Sequence, residues 1–281
     1  MCKSATQATK QSCLAFESRA QAKRITGISN LTGINSSAKL SHNEEIGVYT
    51  SVFYGAPGRN SGYETCPNAT NACRGACLYA SGLAKVEAYA GKNTIKKCRV
   101  NRTKLFFEHR EFFMNWLVAE IHAAKAKAKR DGMEYSVRLN GTTDIAWETI
   151  PVCGFKHIFE MFPDVQFYDY TKSFERMKLS ESYLIPNYHL TFSYTGEGDN
   201  VRQSLELLMA GKNVAVIFDA KRGEALPKSL AGIKVIDADV TDYRPADERG
   251  VWCGLRFKES ANKKGNEAAK ASPFVINVAT L

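Results

Sequence analysis

The chain has 281 residues, of which 44% are hydrophobic, and carries a net charge of +9 with a sequence pI near 9.1. That length can bury a sizeable core, as one large α/β domain or two small ones. No apolar run approaches the ~20 residues that span a bilayer, and the N-terminal Met1-Cys-Lys-Ser-Ala-Thr-Gln lacks the apolar stretch of a secretory signal.

These exclusions point to the cytoplasm and to no membrane partner. Disulfides rarely persist there, so eight cysteines favour metal binding over a disulfide framework. The basic balance suits phosphate-bearing partners, a nucleotide or a nucleic acid. Much of the excess lies in Lys125, Lys127, Lys129 and Arg130 and in Lys258, Lys263, Lys264 and Lys270, runs that also read as solvated faces.

Residues 1–40 are polar and basic and read as an arm with one short helix around residues 12–23. Residues 41–281 read as a single domain. Its first strand is the β-branched and aromatic run 46–54, closed by Gly55-Ala-Pro-Gly58. Cys66, Cys73 and Cys77 follow in a loop-forming setting, with spacing C-x6-C-x3-C. Three thiolates on one loop can hold a metal and leave a fourth position open, as a catalytic metal needs. Cys98 is a candidate fourth ligand, which would make the site a closed structural zinc. Cys13, Cys153 and Cys253 are isolated and read as small buried hydrophobes.

Residues 78–93 read as a helix of small residues. A longer helix is expected over about 104–130, with Phe106, Phe113, Trp116, Leu117 and Ile121 near helical spacing and Asp131-Gly132 as its stop. Strands are then expected at 134–140, 165–170, 188–193, 213–218, 233–237 and 251–256. Helices at 150–162, 174–179 and 200–210 alternate with them. Alternation implies βαβ units and a mainly parallel sheet. Seven strands suit a partial or complete (β/α) barrel with the cysteine loop after its first strand; a doubly wound open sheet is the alternative. No G-x-G-x-x-G follows the first strand, which weakens a dinucleotide-binding version.

The two-residue strand period puts Ser136, Arg138 and Asn140 on one face, and His189, Thr191 and Ser193 on one face of another strand. A buried unpaired charge is costly, so these faces are expected to line a solvated cavity. Ionisable residues gather past strand ends: Asp144, Asp169 with Lys172, Asp219 with Lys221, and Asp237, Asp239 and Asp242. Ligands of parallel sheets bind at those ends. Within Asn140-Gly-Thr-Thr-Asp144, Gly141 permits close backbone approach and Thr142, Thr143 and Asp144 supply hydrogen-bonding groups; an ordinary loop with Asp144 as a cap is the plainer reading.

The segments 138–148, 165–172, 187–193 and 213–218, with the cysteine segment 66–79, resemble the phage "gene product 88"-like proteins over roughly residues 46–258. The resemblance implies a phage or prophage origin and carries no known reaction. An architectural similarity to radical S-adenosylmethionine enzymes implies a [4Fe–4S] cluster on Cys66, Cys73 and Cys77 with S-adenosylmethionine as cofactor. The usual spacing in that family is C-x3-C-x2-C, from which this chain departs.

Three functions follow as expectations. In the first, an iron–sulfur enzyme acts on a nucleotide or nucleic acid. Asn140, Gly141, Thr142 and Asp144 position the cofactor, and Arg138, Asp169, Lys172 and His189 line the catalytic cavity. In the second, a zinc-containing protein binds nucleic acid through the 125–130 face. In the third, a hydrolase or nuclease holds a divalent metal on Asp144, Asp169, Asp219 and Asp237.

Overall fold

A computed structural model describes residues 14–34, 38–179 and 185–281. In chain order the elements are α1 (Arg19–Thr26), β1 (Thr32–Ile34), α2 (Ala38–Glu45), β2 (Val48–Phe53), α3 (Asn71–Gly75), α4 (Leu83–Tyr89), α5 (Thr94–Glu108), α6 (Arg110–Arg130) and β3 (Glu134–Arg138). Then come α7 (Ile158–Met161), β4 (Gln166–Thr171), α8 (Phe174–Leu179), β5 (Tyr188–Ser193), α9 (Asp199–Met209), β6 (Val214–Phe218), β7 (Ser229–Leu230), β8 (Ile233–Asp237), β9 (Trp252–Arg256), α10 (Lys263–Lys270) and β10 (Val275–Ile276). Among the described residues, ten strands make a mostly parallel sheet. The chain is therefore mixed α/β, as its alternating pattern implies.

The chain divides into two compact units, Met1–Thr65 with Lys97–Phe167, and Cys66–Lys96 with Tyr168–Leu281. In the first unit β1 pairs antiparallel with β2, and β2, β3 and the start of β4 run parallel. Its core is aromatic: Phe53, Phe106, Phe113 and Trp147 meet at centroid distances of 4.9–5.8 Å, inside the range where edge-on pairs add to burial. In the second unit β5, β6, β9 and β8 are parallel neighbours, β7 closes antiparallel on β8, and β10 pairs parallel with β6.

Several boundaries differ from the sequence expectation, each for a local reason. The helix expected at 12–23 runs Arg19–Thr26, capped by the Ser18 hydroxyl and ended by Gly27 at φ +68°; residues 12 and 13 lie outside the described residues. The helix at 78–93 shrinks to a 3-10 turn and α4, because Gly82 at φ +56° separates them. The long helix splits at His109, whose φ of −136° is not helical. The helix at 150–162 reduces to α7, since Cys153 and Gly154 take φ of +48° and +86°.

The polar strand faces also differ. Ser136 and Thr191 are fully buried. The Ser136 hydroxyl meets the Thr50 hydroxyl at 2.9 Å, and Asn43 of α2 donates to Thr50 at 2.9 Å. The expected solvated cavity is, at this point, a polar ladder closed by a helix. Ser136, Thr50 and Asn43 satisfy one another where water was expected to do so, whereas the buried Thr191 hydroxyl has no hydrogen-bond partner among the described residues. Among the described residues no helix is long and apolar enough to cross a membrane.

Candidate functional site

The cysteine loop lies wholly in the second unit, and its backbone is pinned locally. Ala69 N–H donates to the Cys66 carbonyl at 3.1 Å. The Thr70 hydroxyl caps α3 by accepting from Cys73 N–H at 3.3 Å, the usual role of a hydroxyl before a helix. The Arg74 guanidinium reaches back to the carbonyls of Cys66 at 3.0 Å and Ala69 at 3.3 Å. Cys73 thus sits on α3 and Cys77 opens the next turn, with Ala80 N–H donating to its carbonyl at 3.2 Å.

Burial pushes the Cys77 thiol up to about 11; a backbone hydrogen bond from Tyr79 opposes this, the Cys73 and Cys66 thiols reinforce it, and the Lys172 ammonium lowers it. Cys66, Cys73, Cys77 and Lys172 therefore share one electrostatic neighbourhood. The donor set is chemically soft and suits zinc or iron. Among the described residues, however, no three His, Cys, Asp or Glu groups stand arranged to hold a metal ion.

Elsewhere in the second unit, Asp169 is 1% exposed. It accepts from the Tyr188 hydroxyl at 3.2 Å, and Arg176 donates to that hydroxyl at 2.8 Å and to the Thr171 hydroxyl at 3.2 Å. This is an interior network on α8, β4 and β5. His189 on β5 is half-buried.

The segment after β3 lies in the first unit. Asn140 accepts from Thr143 Oγ1 and Ile145 N at 2.8 Å and from Trp147 Nε1 at 3.3 Å, and donates to the Ile145 carbonyl at 3.0 Å. Thr142 donates to the Gly55 carbonyl at 2.6 Å, and Asp144 N–H donates to the Thr65 carbonyl at 2.8 Å. Asn140 is a clamp that seats the loop on the aromatic core. A Cβ on Gly141 would stand 2.7 Å from both Tyr54 Cδ1 and Val52 Cγ1, so the close approach at this glycine is made by the chain itself. Arg138 at the end of β3 is half-buried. Gly141→Ala is expected to lower stability by about 1–3 kcal/mol, as overpacking does. Urea unfolding checks this, and an unchanged midpoint would show that Tyr54 yields freely.

The other candidate ligands have cationic partners. Asp219 pairs with Lys270 at 3.0 Å, and Asp237 with Arg256 at 2.8 Å. Asp239 meets Lys258 at 3.1 Å. On the basic face, Lys125 pairs with Asp164 and Lys127 with Asp131. Cys98 is exposed on α5, in the first unit. Cys253 is buried as expected, and its thiol is pushed up to about 12 by burial and by Asp247. Cys153 is disulfide-bonded, unlike the free thiol expected of it; Cys13 lies outside the described residues. Sequence reasoning missed Arg74, which lies inside the loop and ties back to its start, and Asn262 and Gly265, which touch it from the start of α10, an element that no spacing rule links to it.

Fold and site together define a mixed α/β protein with a mainly parallel sheet and three free cysteines on the segment after β2. The chain belongs to the Gene product 88 family, whose model matches residues 18–272. No curated protein and no solved structure matches it.

Proposed function

We propose that this is a phage protein whose Cys66, Cys73 and Cys77 hold a soft metal or an iron–sulfur cluster, used on a nucleotide or nucleic acid. The observation that carries the reading is the convergence at Cys77, where both other thiols and the Lys172 ammonium act on one sulfur. A neutral, half-buried thiol among two others is a poor structural filler. A cation bound there would offset the burial that chiefly raises the Cys77 pKa, together with the lesser repulsion from Cys73 and Cys66.

Bound there, a [4Fe–4S] cluster with S-adenosylmethionine would supply radical chemistry, whereas zinc would supply a structural staple. Lys172 offers an ammonium suited to a phosphate or carboxylate beside the thiols. Within the second unit, His189 on β5 remains a candidate lining residue of a partial (β/α) barrel, a finer architecture that this reading carries with it. Asp169 enters as an interior anchor of β4. Asn140, Gly141 and Thr142 enter as the packed scaffold of the loop after β3 in the first unit.

The divalent-metal hydrolase is disfavoured by the cations already held by Asp219 and Asp237. The zinc nucleic-acid binder is disfavoured by the acids that neutralise Lys125 and Lys127.

Metal and sulfide analysis of protein purified without oxygen tests the reading. The expected result is a brown protein with about four irons per chain, and loss of the colour on Cys73→Ser. A colourless protein with one zinc assigns the staple, and protein with no metal under either condition overturns the proposal.

A further inference from the structure

We infer that α10 is the positioning element of the thiol cluster: Gly265 and Asn262 set where α3 stands, and with it Cys73 and Cys77. This deepens the thiol-site reading and rests on it.

Gly265 lies inside a helix, where glycine is disfavoured by about 1 kcal/mol relative to alanine. Its backbone is not in the left-handed region that would call for glycine. What calls for it is proximity: a Cβ here would lie 2.1 Å from the Gly75 carbonyl oxygen and 2.6 Å from the carbonyl carbon. From the other side, a Cβ on Gly75 would meet Gly265 Cα at 3.4 Å. Two backbones touch, and one belongs to the residue midway between Cys73 and Cys77.

Asn262 ties the same point. Its Nδ2 donates to the Gly75 carbonyl at 3.0 Å, an orphan acceptor at the end of α3, while its Oδ1 accepts from Gly265 N–H at 3.1 Å. One side chain thus caps α10 and holds α3. Asn266 fixes the start of α10 in turn, accepting from Ser260 N and Oγ at 3.0 Å and donating to the Ser260 carbonyl at 3.0 Å. Beneath the contact, Ala72, Ala76, Ala269, Phe274 and Val275 form an apolar cluster against which Cys73 packs. The small residues let the helices approach, and the approach fixes the sulfurs.

The consequence is a difference in thiol reactivity that needs no metal to observe. The full chain, treated with a chelator under nitrogen, is alkylated with iodoacetamide at pH 8, and the labelling profile of each cysteine with time is followed by peptide mass spectrometry. Gly265→Ala must move α3, so the half-buried Cys73 and Cys77 are expected to be labelled about tenfold faster as they open to the reagent. Asn262→Ala, which removes the side-chain tie to the Gly75 carbonyl, moves the same profile in the same direction by about threefold, an estimate from the loss of one hydrogen bond. Glu120→Gln, a variant loosened in the other unit, is expected to leave the Cys77 profile in place.

An unchanged Cys77 profile in folded Gly265→Ala overturns the inference. If that variant does not fold, Asn262→Ala decides alone, and an unchanged profile there overturns it equally. A shift of the same size in Glu120→Gln also overturns it, by making the effect general loosening. Metal content of the wild type, measured in parallel, judges the metal reading separately. Protein without metal but with the Gly265 shift removes that reading and keeps this one.

Discussion

Asp247→Ala is expected to cost about 3 kcal/mol of stability, the usual loss when one member of a buried ion pair is removed. Arg244 is 1% exposed and its guanidinium stands 3.0 Å from the Asp247 carboxylate, itself 11% exposed. Nη2 also donates to the Thr241 carbonyl at 2.6 Å. Burial works against the charge, yet Tyr170, Asp247, Cys253 and Asp242 hold its pKa above the usual guanidinium range. Arg244 therefore stays charged, and truncating Asp247 leaves that charge without its nearest counter-ion. The double variant Arg244→Met, Asp247→Leu removes both charges at similar volume and is expected to recover most of the loss. Urea unfolding of the three variants decides. A single variant as stable as the wild type, or a double variant no better than the single, would show that the pair is not the source of the stability.

The same region shows what the sequence could and could not tell. The runs at β5 and β8 are rich in β-branched and aromatic residues, and their bounds are legible to the residue. Edge strands of two or three residues are not: Thr32–Ile34, Ser229–Leu230 and Val275–Ile276 are too short to show a period and owe their extension to the strand they pair with. A Ser, Asp or Thr on a strand implies that something satisfies it, and sequence alone does not say whether that is water or another side chain. For Ser136 it is Thr50, eighty-six residues away. For Asp169 it is Tyr188, so a residue legible as a cavity wall lies in the interior.

The candidate site divides in the same way. Three cysteines within the twelve residues 66–77 are visible as a spacing; what keeps that segment from extending is the turn that returns Ala69 N–H to the Cys66 carbonyl and the short helix α3. Lys172, from the end of β4, reaches Cys77 through the fold, and its nearness was legible as shared placement past a strand end. The support from α10 was not legible, since a glycine and an asparagine some 190 residues downstream carry no cysteine-site signature. Their meaning is a backbone contact, which exists only after folding.

Glu120→Ala is expected to lower stability by about 3 kcal/mol, because it leaves several buried donors without an acceptor at once. The Glu120 carboxylate on α6 is 7% exposed. It accepts from Leu31 N–H at 3.0 Å, from Thr32 N–H at 2.7 Å and from the Thr32 hydroxyl at 2.9 Å. Arg102 holds the adjoining residue, donating to the Asn30 carbonyl at 2.9 Å and to its side chain at 3.0 Å. A carboxylate and a guanidinium thus fasten the start of β1, which then pairs with β2 through Thr32 and Phe53. Backbone donors buried beside a helix cannot turn to solvent when the acceptor is lost, so the cost exceeds that of an ordinary exposed bond. Glu120→Gln keeps one acceptor oxygen and is expected to lose about 1 kcal/mol. Amide hydrogen exchange gives the local readout. Leu31 and Thr32 should be protected in the wild type and exchange faster than the centre of β2 in Glu120→Ala. Exchange at β1 and β2 rising together would mean that the carboxylate supports the whole unit, and protection unchanged at Leu31 would mean that β1 is held by its pairing with β2 alone.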